Sequence, residues 1–175
     1  MTSHATGPAP ADSPPQYGQV YGDLVTVRIL GMPMALQARA QEQNDELTRE
    51  LVLIAEQMRQ SGDEAGLPVR LVALVQQLST PYSVFTAAQE QAVADAVRDG
   101  TESIDLTYQV PASAAGAATA LGAILDEADE YCRAGRYLLA LATPDELVHY
   151  RRWFLAQFVN QPAGDRPVSW AEYSE

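Results

Sequence analysis

The chain has 175 residues, of which 11 are basic and 23 acidic, giving a formal net charge of −12. This length fits one domain with a core of its own, whereas the acidic balance argues against binding to nucleic acid, whose phosphates require a positive field, and against an anionic membrane surface. Every basic residue is arginine, so chemistry that depends on lysine, such as a Schiff base or a P-loop, is excluded.

Cysteine usage and the N-terminal sequence bear on the compartment. The single cysteine, Cys132, excludes an internal disulfide and any metal site with several cysteines. The first residues lack the basic and apolar regions of a signal peptide, and no run of 18 apolar residues occurs. We therefore expect a soluble cytoplasmic protein that binds neither nucleic acid nor membrane.

Three segments differ in composition. Residues 1–21 are rich in Pro, Ala, Ser and Gly and hold almost no large aliphatic side chains, so we expect a disordered leader. Residues 22–160 carry the periodic patterns of a single globular domain. Residues 161–175 return to Pro, Gly and polar residues, which predicts a flexible C-terminal tail.

The first half of the domain predicts one strand and three helices. The β-branched run 24–30 reads as a strand, and residues 34 to about 60 carry apolar side chains at helical spacing. A shorter helix is predicted over 67–78, with a break at Pro81. Thr86 and Gln89 have the spacing of a capping box for a further helix through Arg98.

The second half predicts strand, helix, strand and helix. Residues 103–110 alternate apolar and polar side chains. A helix rich in small residues follows over 112–134, in which Gly116 and Gly122 suggest close packing against a neighbour. A short apolar run begins at Tyr137. Thr143 as N-cap, Pro144 at the first position and Glu146 two residues later then predict the start of the last helix, which runs to 159.

A strand followed by proline at the head of a helix occurs three times, at Pro33, Pro111 and Pro144. The last two units are spaced like a strand-helix-strand crossover, so their strands are expected to lie parallel and adjacent. The first strand can join either edge in either direction. The expected fold is α+β and helix-rich, a small mixed three-stranded sheet packed with about five helices.

Two pairs of side chains are candidates for metal binding or acid/base chemistry. Asp126 and Glu130 share one helix face, as do Asp145 and His149, so a small enzyme or metal-binding protein is an alternative if the pairs meet. A solvated acidic face is the simpler interpretation of the first pair.

Candidate partner-binding residues lie near the C-terminus. Arg151 and Arg152 suit an acidic or phosphorylated partner, although a cross-helix ion pair is the simpler interpretation. Trp153 fits either the core or an exposed aromatic patch. Trp170 and Tyr173, set in a polar tail, fit a short docking segment or a tail that folds back onto the domain.

Nucleophile-elbow, dinucleotide, zinc-protease and Walker motifs are absent, so the sequence assigns no catalytic, cofactor-binding or metal-ligating residue. The segment SIDLTYQVPASAAGAATALGAILDEAD, and more loosely TPDELVHYRRWFLAQFV, resembles the strand, proline and first helix of serine-kinase-type anti-sigma regulators of the histidine-kinase-like ATPase superfamily. The whole chain resembles small actinobacterial proteins associated with partner-switching stress regulation.

The ATPase family's E-x-x-x-N and D-x-G-x-G boxes are missing, so the resemblance implies a protein without kinase activity or nucleotide cofactor. The expected function is that of a non-catalytic regulatory or adaptor protein whose partner is another protein, such as an anti-sigma or antagonist component. The alternatives are the small enzyme or metal-binding protein named above, or a sensor that binds a small ligand between sheet and helices. The sequence leaves the oligomeric state open.

Overall fold

The computed structural model describes residues 23–62, 67–133 and 143–174. Over these residues the fold is α+β and helix-rich, which confirms the predicted class. The elements in chain order are β1 (Leu24–Pro33), α1 (Met34–Gln60), α2 (Leu67–Asp99), β2 (Ser103–Pro111), α3 (Ala114–Arg133), α4 (Asp145–Asn160) and α5 (Trp170–Tyr173).

The sheet consists of β1 and β2, which pair antiparallel with Val27 opposite Tyr108 and Ile29 opposite Leu106. The register shifts between Ile29 and Met32, where Gly31 adopts a φ of +66° that favours glycine. This sheet fixes the orientation of the first strand, which the sequence left open.

The predicted third strand, which begins at Tyr137, lies outside the described residues, and so does its expected parallel pairing with β2. The described residues form a two-stranded sheet, and the three-stranded sheet is not confirmed. The one described pair of strands is antiparallel, so a mixed sheet that also contains a parallel pair remains a prediction.

Helix α2 corrects the prediction of two helices separated at Pro81, because residues 67–99 form one continuous helix. An internal proline removes one backbone hydrogen bond and crowds the preceding turn, at a cost of about 3 kcal/mol. Helix α2 contacts both α1 and β2, and tertiary packing of this kind overrides local helix-breaking preferences.

The core lies between one face of the sheet and helix α4. Trp153 is fully buried at its centre, and the sheet contributes Val27, Ile29, Leu106, Tyr108 and Val110. The other face of the sheet carries exposed polar residues, as is usual for an antiparallel sheet covered on one side. A smaller cluster of Leu47, Leu51 and Ala128 packs the distal half of α1 against α3.

Two local predictions for the helices are wrong. Gly116 is exposed, and nothing lies within 4 Å of the place where a Cβ would stand, so close packing does not explain it. At Gly122, by contrast, a Cβ would stand 3.5 Å from Leu155 of α4, so this glycine does lie against a neighbouring helix. Helix α4 begins at Asp145 with Pro144 as its N-cap, and no side chain caps it. The carbonyl of Pro144 accepts the N–H groups of Leu147 and Val148, so the first turn forms without the predicted capping box.

Candidate functional site

The segment that follows α4 folds back onto the domain. The indole N–H of Trp153 donates to the carbonyl of Val168 at 2.8 Å, and the side-chain oxygen of Gln157 accepts the N–H of Val168 at 3.1 Å. A buried indole needs such an acceptor. Residues 161–174 therefore take the folded-back alternative and not the expected course of a free tail.

The folded-back segment is also joined to the sheet. Gln161 lies beside β1, where its amide accepts the N–H of Arg28 at 2.9 Å and donates to the carbonyl of the same residue at 2.7 Å. Its amide also donates to Gln157 at 3.0 Å. The segment thus rests on both the sheet and α4, which fixes the position of the short helix α5.

Helix α5 completes an aromatic cluster that extends from the core to the surface. The Trp170 ring lies 5.4 Å from that of Trp153 and 5.7 Å from that of Tyr150. The exposed ring of His149 lies 4.6 Å from Tyr173 and 5.6 Å from Trp170. We call His149, Trp170 and Tyr173 the aromatic face, because Trp170 and Tyr173 are only partly buried.

The structure separates the predicted partner-binding residues into two groups. Trp153 is fully buried, so it offers no surface to a partner. The side chain of Arg151 is 14% exposed and pairs with Asp126 at 2.7 Å and Asp129 at 2.8 Å. Trp170 and Tyr173 remain accessible, and both belong to the aromatic face.

The ion pairs of Arg151 join α3 to α4. Asp129 is buried between the two helices, whereas Asp126 is partly exposed. Arg152 is exposed and reaches Asp126 at 3.2 Å. These contacts follow the simpler interpretation of the two arginines, a cross-helix ion pair. Only a long-range contact brings Asp129 to Arg151, so no local signal in the sequence identifies it.

The candidate metal ligands are not assembled. Asp126 pairs with the two arginines, Glu130 and Asp145 are exposed, and His149 stacks against aromatic rings. Over residues 23–62, 67–133 and 143–174, no group of three His, Cys, Asp or Glu side chains is placed to hold a metal ion. The described residues therefore give the metal-binding alternative no site.

A cleft of about 270 Å³ lies between α1, α3 and α4. Its apolar side includes Leu121 and Leu147, and its polar side includes Gln37, Thr143 and the hydroxyl of Tyr150. The Tyr150 hydroxyl donates to the side-chain oxygen of Gln37 at 2.7 Å. Burial, and then the proximity of Tyr108, raises the pKa of Tyr150 above its ordinary value.

Comparison with protein-family models, with curated proteins and with solved structures found no match. Among the helices of the described residues, none combines the length and apolar character needed to cross a membrane. The geometry of the aromatic face and of the cleft is therefore the basis for a functional proposal.

Proposed function

We propose that this chain is a non-catalytic regulatory or adaptor protein that binds another protein through the aromatic face. The observation that carries the proposal is the placement of Trp170 and Tyr173 beside the exposed ring of His149. The proposed setting is partner-switching regulation of bacterial stress or sigma-factor signalling, with an anti-sigma or antagonist component as the partner.

The support beneath the aromatic face suits it to binding. Trp170 rests on the buried Trp153, whose indole is hydrogen-bonded to Val168. Tryptophan and tyrosine supply large contact areas with few rotatable bonds, and both are enriched at interface hot spots. Because the rings are held by the core before a partner arrives, little conformational entropy is lost on binding.

The charge around the aromatic face indicates the character of the partner. Asp145 lies exposed one turn before His149 on α4, whereas Glu172, between Trp170 and Tyr173 in the chain, is paired with Arg166. The whole chain carries a net charge of −12. A partner with an apolar pocket surrounded by basic side chains complements this surface, and electrostatic attraction would accelerate the encounter.

The test is a calorimetric titration of candidate anti-sigma factors and antagonists against the wild-type chain and two variants, Tyr173→Ala and His149→Ala. Each variant is expected to raise the Kd by about tenfold or more, as for a hot-spot residue. The matched control is Val97→Ala, which truncates an exposed apolar side chain on α2. Deletion of residues 161–175 is a poorer test because it also removes the acceptor of the Trp153 indole.

Equal affinity of all three variants and the wild type would exclude the aromatic face as the binding site. Absence of binding to every candidate component would count against the proposed signalling role. Thermal unfolding of each variant, measured beside the titrations, separates a lost contact from a lost fold.

A small-ligand sensor is the second candidate, and the cleft between α1, α3 and α4 favours it. Because the charge of Arg151 is compensated by two carboxylates, the cleft suits an uncharged molecule with an apolar body and a hydrogen-bonding edge. Thermal-shift screening with such molecules tests it. A Tm increase that is lost in Gln37→Ala would support the sensor, and no increase with any compound would contradict it.

A further inference from the structure

Helix α1 presents an exposed stripe that the core does not use. The side chains of Val52 and Leu53 are exposed, Leu53 to 71%. The buried side of the same helix carries Leu47, Leu51 and Ala55, which face the smaller cluster. Val52 and Leu53, together with the exposed polar residues on the same side of the helix, form a surface that we call the α1 stripe. Its members are Asp45, Glu46, Arg49, Val52, Leu53, Glu56, Arg59 and Gln60.

The α1 stripe is symmetric about the midpoint between Val52 and Leu53. Arg49 precedes this midpoint by the same distance at which Glu56 follows it, and Glu46 and Arg59 are related in the same way. At 3.6 residues per turn, all members of the stripe point within about 70° of one direction. Arg49 and Glu56 lie closest to the centre of the stripe, so reversing the helix end for end places each of them where the other stood.

We propose that the α1 stripe binds a second copy of this chain, with the two α1 helices antiparallel about a two-fold axis that passes between Val52 and Leu53. Val52 then packs on the partner's Val52 on one flank of the contact, and Leu53 packs on the partner's Leu53 on the other. Arg49 faces the partner's Glu56 near the centre of the contact, and Asp45 faces the partner's Arg59 on one flank. Such an isologous contact is closed, so association stops at the dimer.

The charges of the stripe favour a second copy over an unrelated protein. A parallel arrangement would set Arg49 against the partner's Arg49, whereas the antiparallel one forms four attractive pairs across the axis. Arg49 has no ion pair within the described part of the chain, so it is available to a partner. Glu56 pairs with Arg59 of its own helix at 3.2 Å and can accept a second arginine.

The size of the α1 stripe sets the expected strength of the dimer. Sixteen positions, from Asp45 to Gln60, span about 24 Å of helix, which at a width of about 10 Å gives roughly 500 Å² for both partners together. Stable complexes bury about 1,200 Å² or more. The net charge of each chain also opposes association, so we expect a weak and reversible dimer with a Kd on the order of 100 µM.

The test is sedimentation equilibrium of the full chain and of two charge-reversal variants, Arg49→Glu and Glu56→Arg. In a homodimer of either variant, both pairs about the axis become repulsive, so the Kd is expected to rise by about tenfold or more. In an equimolar mixture, the introduced glutamate of one variant faces the introduced arginine of the other, and association is expected to return. Arg133→Glu, an exposed reversal on α3, is the matched control and should associate like the wild type.

Recovery in the mixture is the decisive outcome, because a general effect on folding or net charge would not restore association. A wild-type chain that remains monomeric to about ten times the expected Kd would overturn the proposal. Reversal variants that associate as well as the wild type, or a mixture that stays monomeric, would also overturn it. The aromatic face lies on α4 and α5, away from the α1 stripe. Calorimetric titration with a partner can therefore fail while sedimentation shows the dimer, and a partner can bind while the chain stays monomeric.

Discussion

The side-chain amide of Gln161 takes the place of a strand beside Arg28, since it accepts the backbone N–H and donates to the carbonyl of that one residue. Thr107 lies opposite Arg28 in the antiparallel register, and its carbonyl accepts the amide of Gln89 at the other edge of the sheet. Gln161 and Gln89 thus pair with backbone groups on the two outer edges of the sheet, at the position where Arg28 and Thr107 lie opposite each other. These contacts also protect the edges of the sheet from pairing with other chains.

Replacing Gln161 with alanine is expected to lower the free energy of unfolding by about 1–2 kcal/mol, because two backbone groups of Arg28 lose their partner. Urea denaturation measures this loss. Gln57→Ala, an exposed substitution on α1, is the control and should change the stability by less than about 0.5 kcal/mol. Equal effects of the two substitutions would show that the contact with Arg28 contributes nothing.

Two glycine substitutions are expected to act in opposite directions. Gly116→Ala should raise the free energy of unfolding by about 0.5–1 kcal/mol, because the position is helical and nothing obstructs a Cβ. Gly31→Ala should lower it by about 1 kcal/mol, because a φ of +66° is unfavourable for alanine. Thermal and urea unfolding of both variants check the signs, and a destabilised Gly116→Ala would contradict the helix described here.

Asp129 and Asp126 are expected to differ in their contribution to stability, although both bind Arg151. Asp129→Ala should cost about 3 kcal/mol, because it leaves a largely buried arginine with one partner. Asp126→Ala should cost about 1 kcal/mol, since that carboxylate is 43% exposed. Urea denaturation compares them, and equal losses would contradict the burial of Asp129.

A double replacement tests whether the pair of Arg151 and Asp129 is itself stabilising. Arg151→Met with Asp129→Leu removes both charges and keeps apolar volume, so the unfolding free energy should return to within about 1 kcal/mol of the wild type. A double variant as unstable as Asp129→Ala would show that the ion pair, and not the uncompensated charge, determines the cost.

Alkaline pH is expected to destabilise the fold through its buried tyrosines. Burial, and then the negative charge of Glu90, raises the pKa of Tyr108 to about 12, whereas an unfolded tyrosine ionises near pH 10. Between these two pH values the folded state keeps a proton that the unfolded state loses. The contribution of Tyr108 to the free energy of unfolding is therefore constant below about pH 10 and falls as the pH rises toward 12. Urea denaturation across this range should show a shallower decrease for Tyr108→Phe, and an unchanged slope would contradict this assignment.

Local patterns predict the elements that contain their own signals. The alternation of Ile104, Leu106, Tyr108 and Val110 identifies β2, and the apolar spacing around Leu47 and Leu51 identifies α1. They do not predict that α2 is continuous, because Pro81 and the apparent capping box at Thr86 resemble a helix boundary. In the fold Gln89 donates to Thr107 in β2, a contact across 18 residues that no local pattern contains.

The residues of the candidate site also differ in whether the sequence alone identifies their role. Trp170 and Tyr173 can be identified from the sequence as aromatic residues in a polar segment, and they are accessible in the fold. The roles of Trp153 and Arg151 depend on Val168 and Asp129, which only tertiary packing brings to them. A single sequence therefore identifies the aromatic residues near the C-terminus without showing which of them the core retains.

The chain has two tryptophans, and their indole N–H groups separate the core from the aromatic face in one measurement. A ¹H–¹⁵N correlation spectrum recorded during titration with an anti-sigma or antagonist partner follows both signals. The Trp170 signal is expected to shift, while that of Trp153, bound to the Val168 carbonyl, changes little. A partner that binds without moving the Trp170 signal would contradict the proposal that the aromatic face is the site of contact.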